Sequence, residues 1–340
     1  MNILKAVKKS GLKSKHIVVA SLCIAIVICM VQLAFAWGFA AHKRINRMAV
    51  FTLPPQMIGF YKKHIDFVTD HAVDPDMRRY ASPDEAPRHY IDCDKYGENP
   101  FENLPVFWND AVAKYSEDSL KAHGIVPWHI QVMMNRLTKA FRDRNTELIL
   151  HYSADIGHYI GDAHVPLHCT SNYNGQKTNQ VGIHGFWESR LPEIFYDGYD
   201  YLTGRCIYIE NTQQEAWNFV KASYAAHDSV LSFERILSQD FSADRKYSYE
   251  QRGASNVRTY SRDYSAAYHD MLDGMVERRM REAIRAVGSF WYTAWVNAGS
   301  PDLNSLAGYT QSEEFRLQLE EERKKFQEGK ITNSHGHTDD

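Results

Sequence analysis

The chain has 340 residues with a formal charge of −3, and the length allows one large domain or two small ones. An acidic body argues against strong non-specific binding to duplex nucleic acid. Of five cysteines, Cys23 and Cys29 fall in an N-terminal leader, so Cys93, Cys169 and Cys206 allow at most one internal disulfide and exclude a disulfide scaffold.

The leader comes first. Lys5, Lys8, Lys9, Lys13 and Lys15 precede an apolar run from Ile17 to Ala36, the charge pattern of an export signal. Ala34 and Ala36 supply the small side chains that processing needs, so cleavage is expected after Ala36, with the mature protein starting at Trp37. Loss of the leader's five lysines takes the formal charge from −3 to −8. The expected location is periplasmic or secreted. The alternative is an uncleaved leader that anchors the protein, because the apolar run is long enough to span a bilayer.

Beyond the leader the apolar residues recur at helical spacing. Helices are expected over Arg44 to Leu53, from Pro54-Pro55 to Val68, and over Pro127 to Phe141. A central helix is expected to start with Asn145 as its cap and run to about His164, with Pro166 ending or bending it. Further helices are expected over Gly185 to Phe195, Thr212 to Leu237 and Ser261 to Ala298. Long loops fall at Asp74 to Pro105 and Thr170 to Ile183, and loops of this length often serve a site. Only Cys206 to Ile209 hints at a strand. The predicted fold is all-α: residues 1–36 a cleaved leader, 37–305 a single mostly helical domain, and 306–340 a charged C-terminal helix with a flexible tail that includes His335 and His337.

The chemistry concentrates between His158 and Glu188. His158 and Asp162 are one helical turn apart and share a face, as do His184 and Glu188, and His168 lies between the two pairs just past Pro166. Imidazoles and carboxylates so arranged suit zinc. Two more contributions come from the loop before the central helix. Composition alone leaves Asp74 and Asp76, and likewise His89 and His71, as alternatives there. Cys169, next to His168, reads as a small buried side chain behind it.

In the order and spacing of these residues the chain resembles the superfamily of bacterial zinc-dependent phospholipase C and the secreted zinc nucleases that prefer single-stranded nucleic acid. The resemblance implies a trinuclear zinc cluster in a surface cleft of a helical domain, and nine ligands. They are Trp37 (through its free amino group and carbonyl), His42, Asp74, His89, His158, Asp162, His168, His184 and Glu188. One ion would take Asp74, His89, His158 and Asp162. A second would take His168, His184 and Glu188, and a third Trp37, His42 and the other oxygen of Asp162. A free α-amine titrates near neutral pH and is a good zinc ligand, so leader cleavage would complete the third site.

The implied activity is hydrolysis of phosphodiesters by attack of a metal-activated water, with Asp74 and Asp162 as the catalytic carboxylates. Short spacing from Trp37 to His42, the Asp74 to His89 step, and Trp187 are nuclease-like, as are Tyr90 and Asp92 at base-contacting positions. Glu188 and the short loop before it are phospholipase-like. The expected substrates are therefore single-stranded DNA, RNA or nucleotides, with phospholipid head groups as the alternative. A helical zinc-binding protein of the cell envelope, with a closed cleft, is the non-enzymatic alternative. Arg78 or Arg79 is expected to neutralise substrate phosphate. Asp155 is a candidate for orienting His158, and His129 and His164 read as buried, hydrogen-bonded imidazoles.

Overall fold

Asn145 begins the central helix as its sequence requires: its side-chain oxygen accepts from the Leu148 amide at 3.1 Å, and the helix runs Thr146–Ala163. The computed structural model describes residues 38–252, 255–306 and 308–329. The leader, Trp37, His335 and His337 lie outside the described residues. Around the central helix pack four others: Gly38–Ala49, Val126–Arg142, Thr212–Asp240 and Met275–Asn297. Thirteen residues of the central helix are buried, including Asp155, His158 and Asp162, so polar groups enter the core only where partners await them. The outcome is one mostly helical domain with a continuous apolar core. Among the described residues no helix is long and apolar enough to cross a membrane.

The N-terminal helix lies unusually close to the central one, and glycine is the reason. A β-carbon on Gly157 would stand 2.0 Å from Asn46 Oδ1, and one on Gly161 would stand 2.9 Å from His42 Nδ1. With no side chain at either position, Asn46 reaches across to donate to the Ala154 carbonyl at 3.0 Å and the Val68 carbonyl at 3.1 Å. His42, one turn earlier, then falls beside Asp162.

Three expectations need correction. The stretch from Ser261 to Ala298 is two helices, Arg262–Met271 and Met275–Asn297, because Asp273 and Gly274 take positive φ of 48° and 71° and end the first. Cys206 to Ile209 is extended but pairs with no strand: its amides donate instead to the Thr52 carbonyl, the Ser289 hydroxyl and the Thr293 hydroxyl at 3.0 to 3.1 Å. Strands occur where none was expected, in an antiparallel hairpin of Tyr247–Arg252 with Ser255–Tyr260. The hairpin is largely solvated, so its sequence lacks the apolar alternation that marks a half-buried strand.

The charged C-terminal helix, Glu313–Gln327, is docked on the body. Phe315 is buried against His151, with ring centroids 5.0 Å apart. Glu147 on the central helix accepts from the Tyr309 hydroxyl at 2.7 Å and from the Ser312 amide at 2.8 Å. At its far end Phe326 meets Tyr80 and Phe39.

Candidate metal centre

Each candidate ligand is placed by a backbone feature. The short helix Asp74–Arg78 brings acidic side chains over the central helix. The Ile91 amide donates to the His168 carbonyl at 2.9 Å, and His168 Nδ1 pairs with the His89 carbonyl at 2.8 Å, so the segments carrying these histidines are tied together. His158 Nδ1 likewise pairs with the Ala72 carbonyl at 2.8 Å. An imidazole that donates through Nδ1 directs the Nε2 lone pair the other way, toward the cluster. His184 and Glu188 sit on one face of consecutive turns, Ile183–Gly185 and a π-helical turn Phe186–Arg190. Such π turns often occur at functional sites.

The donor atoms converge in three groups. In the first, His89 Nδ1 is 3.0 Å from His158 Nε2, and Asp162 Oδ2 is 2.9 Å and 3.2 Å from these two nitrogens. Asp76 Oδ1 completes it, 3.5 Å from His158 and 3.7 Å from His89. In the second, His168 Nε2, His184 Nε2 and Glu188 Oε2 are 2.8 to 3.3 Å apart. In the third, His42 Nε2 faces the remaining oxygens of both acids, Asp162 Oδ1 at 3.4 Å and Glu188 Oε1 at 3.6 Å.

Those spacings fit zinc. Donors 2.0 to 2.1 Å from a tetrahedral ion stand about 3.3 Å from one another, within the range seen here. The first group offers four donors and the second three. Asp162 turns one oxygen to the first group and the other to the third, so a single carboxylate serves both.

The charge balance also suits cations. Burial alone would discourage ionisation of Asp162 and Glu188, yet the histidines around them hold both carboxyls well below their usual range. Burial would lower His168, but Asp162 and Glu188 push it up to about 9. They and Asp162 act similarly on His42 and His89, each raised despite burial. Without a metal, the acids are neutralised by protonated imidazoles, so binding ions and releasing protons are the same event.

Two ligand expectations change. Asp74 does not face the first group; its Oδ2 lies 2.7 Å from His71 Nδ1, and both residues belong to a separate pair one turn away. Asp76, two residues on, points to the other side of the short helix and takes the place expected of Asp74. Trp37 lies outside the described residues, although Gly38 and Phe39, which follow it, line the cleft.

The cleft over these groups encloses about 770 Å³ and is lined by Phe39, Asp76, Arg79, Asp162, His168 and Glu188 among others. None of the expected substrate contacts lines it. Tyr90 is 1% exposed and is covered by the turn at Gly124, where even a β-carbon would come within 2.2 Å of the Tyr90 carbonyl oxygen. Asp92 is buried, and burial together with neighbouring Asp94 raises its carboxyl to about 7. Arg78 is held inside by Asp155 at 2.7 Å and Glu85 at 3.6 Å. Asp155 is therefore engaged by Arg78, while the Ala72 carbonyl orients His158. Arg79, on the next position of the same turn, reaches the cleft wall.

Sequence reasoning missed Glu85. It is completely buried, accepts from the Tyr159 hydroxyl and Arg88, and presents Oε1 3.6 Å from His89 Nε2. A carboxylate behind a ligand imidazole fixes its ring orientation. No motif spacing marks it, because its partners come from four different segments.

The cysteines are free, and Cys93 and Cys169 are buried. His129 is a buried imidazole as expected, and its titration gives a test of the packing. Burial, reinforced by Arg88, pushes it from 6.5 to about 3. The folded protein therefore holds it neutral while the unfolded chain protonates it, so its contribution is present above pH 6.5 and is lost as pH falls toward 3. At pH 5 the loss is about 2 kcal/mol. Urea unfolding at pH 7 and pH 5 should show the wild type losing about that much more than His129→Gln; equal losses would rule out a neutral buried imidazole.

The described chain is thus a mostly helical protein with three His/Asp/Glu groups that could each hold a metal ion. No family model matches the chain, and no curated protein matches it at a significant level.

Proposed function

We propose that this protein is a zinc-dependent phosphodiester hydrolase of the phospholipase C and single-strand nuclease superfamily, acting on single-stranded nucleic acid or nucleotides after export. The observation that carries the proposal is the sharing of Asp162 between two donor groups, with the third group alongside. Asp76, His89, His158 and Asp162 would hold one ion, and His168, His184 and Glu188 a second. His42 and Asp162 would hold a third, completed by the amino terminus of Trp37. Bound zinc supplies concentrated positive charge and a water that ionises near neutral pH. The chain's own contribution is to hold donors in place through the Ala72 and His89 carbonyls and Glu85, and to set Arg79 on the wall where a phosphate's charge needs balancing.

A phospholipase C is the second reading, favoured by Glu188 as the last ligand and by the burial of Tyr90, which removes one base-stacking surface from the cleft. The deciding assay sets zinc-loaded protein beginning at Trp37 against single-stranded DNA, RNA and phosphatidylcholine, before and after chelation. Faster hydrolysis of the nucleic acids, abolished by chelator and restored by zinc, is the expected result. Preferred lipid turnover would select the second reading, and activity indifferent to chelation would reject both.

A further inference from the structure

The hairpin stands on the segment that carries two of the candidate ligands. At its base Tyr260 stacks on Phe186 with centroids 3.8 Å apart and planes 13° apart. Arg190 Nε donates to the Tyr260 carbonyl at 3.1 Å, and its Nη1 donates to Glu250 at 3.0 Å. Phe186 and Arg190 flank Glu188 in one π turn. A two-stranded hairpin is marginal alone in water; these contacts hold this one at a set position relative to the cleft.

Its register decides what it presents. Tyr249 pairs with Arg258, Gln251 with Asn256, and Tyr247 with Tyr260. Directly opposed residues share a face, as do residues two apart along a strand. One face therefore carries Tyr247, Tyr249, Gln251, Asn256, Arg258 and Tyr260. Tyr249 is 75% exposed, Gln251, Asn256 and Arg258 are exposed, and the Arg258 guanidinium lies 3.7 Å over the Tyr247 ring. Charge has the sign opposite to the chain's. Residues 244–262 contain five basic and two acidic side chains, within a protein of net charge −3. Of these, Lys246 is paired with Glu234, and Glu250 with Arg190.

We infer that this hairpin face is a docking surface for single-stranded polynucleotide, a deepening that rests on the nuclease reading of the cleft. An exposed aromatic ring accepts any base by stacking, and an adjacent arginine takes the phosphate, the combination used for binding without sequence preference. Asn and Gln add donors and acceptors for base edges. A membrane surface fits less well, because membrane-seated elements bury a continuous apolar face, whereas Val257, the partly exposed aliphatic residue of the hairpin, is on the opposite face. The same register that hides Tyr260 against Phe186 sends Tyr249 and Arg258 outward.

The test measures binding apart from catalysis. Full-length mature protein is titrated in chelator against fluorescein-labelled oligothymidylate, with anisotropy read over a series of salt concentrations. The double variant Tyr249→Ala, Arg258→Gln should bind about tenfold more weakly, with a salt slope shallower by about 0.7. Thermal unfolding of the variant should coincide with the wild type, since both side chains are exposed. Equal affinities, or a wild type that does not bind the oligonucleotide, would overturn the inference. So would a variant that loses binding only to phosphatidylglycerol vesicles. Hydrolysis of the same oligonucleotide by zinc-loaded wild type reports separately on the proposed activity, so hairpin-dependent binding without cleavage would reject the nuclease reading and keep the docking surface.

Discussion

Asp162→Asn is expected to remove bound zinc from two of the three donor groups and to lower phosphodiesterase activity by about a hundred- to a thousandfold. The reason is the split use of its oxygens, Oδ2 toward His89 and His158 and Oδ1 toward His42. An amide keeps the shape but replaces one oxygen with a donor NH₂ and removes the charge, so only one of the two groups can retain even a neutral ligand. The metal-free fold should tolerate the change better than a buried ion pair usually does, because the surrounding imidazoles can release their protons once the carboxylate is gone. Metal content per chain after dialysis against zinc, measured beside the rate on bis(p-nitrophenyl) phosphate, separates these effects. A variant that retains the wild-type zinc content would show that Asp162 does not serve two ions.

The strength of that expectation depends on which features could be read before any coordinates. His158, Asp162, His184 and Glu188 were legible because helical geometry converts a spacing of four into proximity. The Asn145 cap, Pro54-Pro55 and the apolar spacing likewise located the helices, because those signals act within a few residues. What escaped depends on distant partners. Asp74 and Asp76 have the same chemistry and differ only in which side of a five-residue helix they occupy, which His71 settles by pairing with the first. Tyr90 follows a ligand in sequence, yet the turn at Gly124 covers it. Glu85 is silent in sequence because Tyr159, Arg78 and Arg88 make room for it only in three dimensions. The hairpin was invisible for the opposite reason: much of it is solvated, so no apolar alternation is required.

The distinction between the two neighbouring aspartates gives the second large effect. Asp76→Asn should weaken zinc retention at the His89 and His158 group and lower phosphodiesterase activity by about a hundredfold, since it removes a charged donor 3.5 Å and 3.7 Å from the two histidines. Asp74→Asn should cost about tenfold or less, because its partner is His71 at 2.7 Å, and an amide oxygen can still accept from that imidazole. Asp74 acts on the centre only through the seating of the short helix. That helix is braced from a second side, with the C-terminal helix packed against it and Phe326 against Tyr80, so one neutralised side chain leaves Asp76 in place. Zinc content and initial rates of the two variants, measured side by side, decide between the carboxylates. Greater loss of metal and activity in Asp74→Asn would mean that the short helix turns by about two residues when ions bind, and that the donor set drawn here is not the one that holds them.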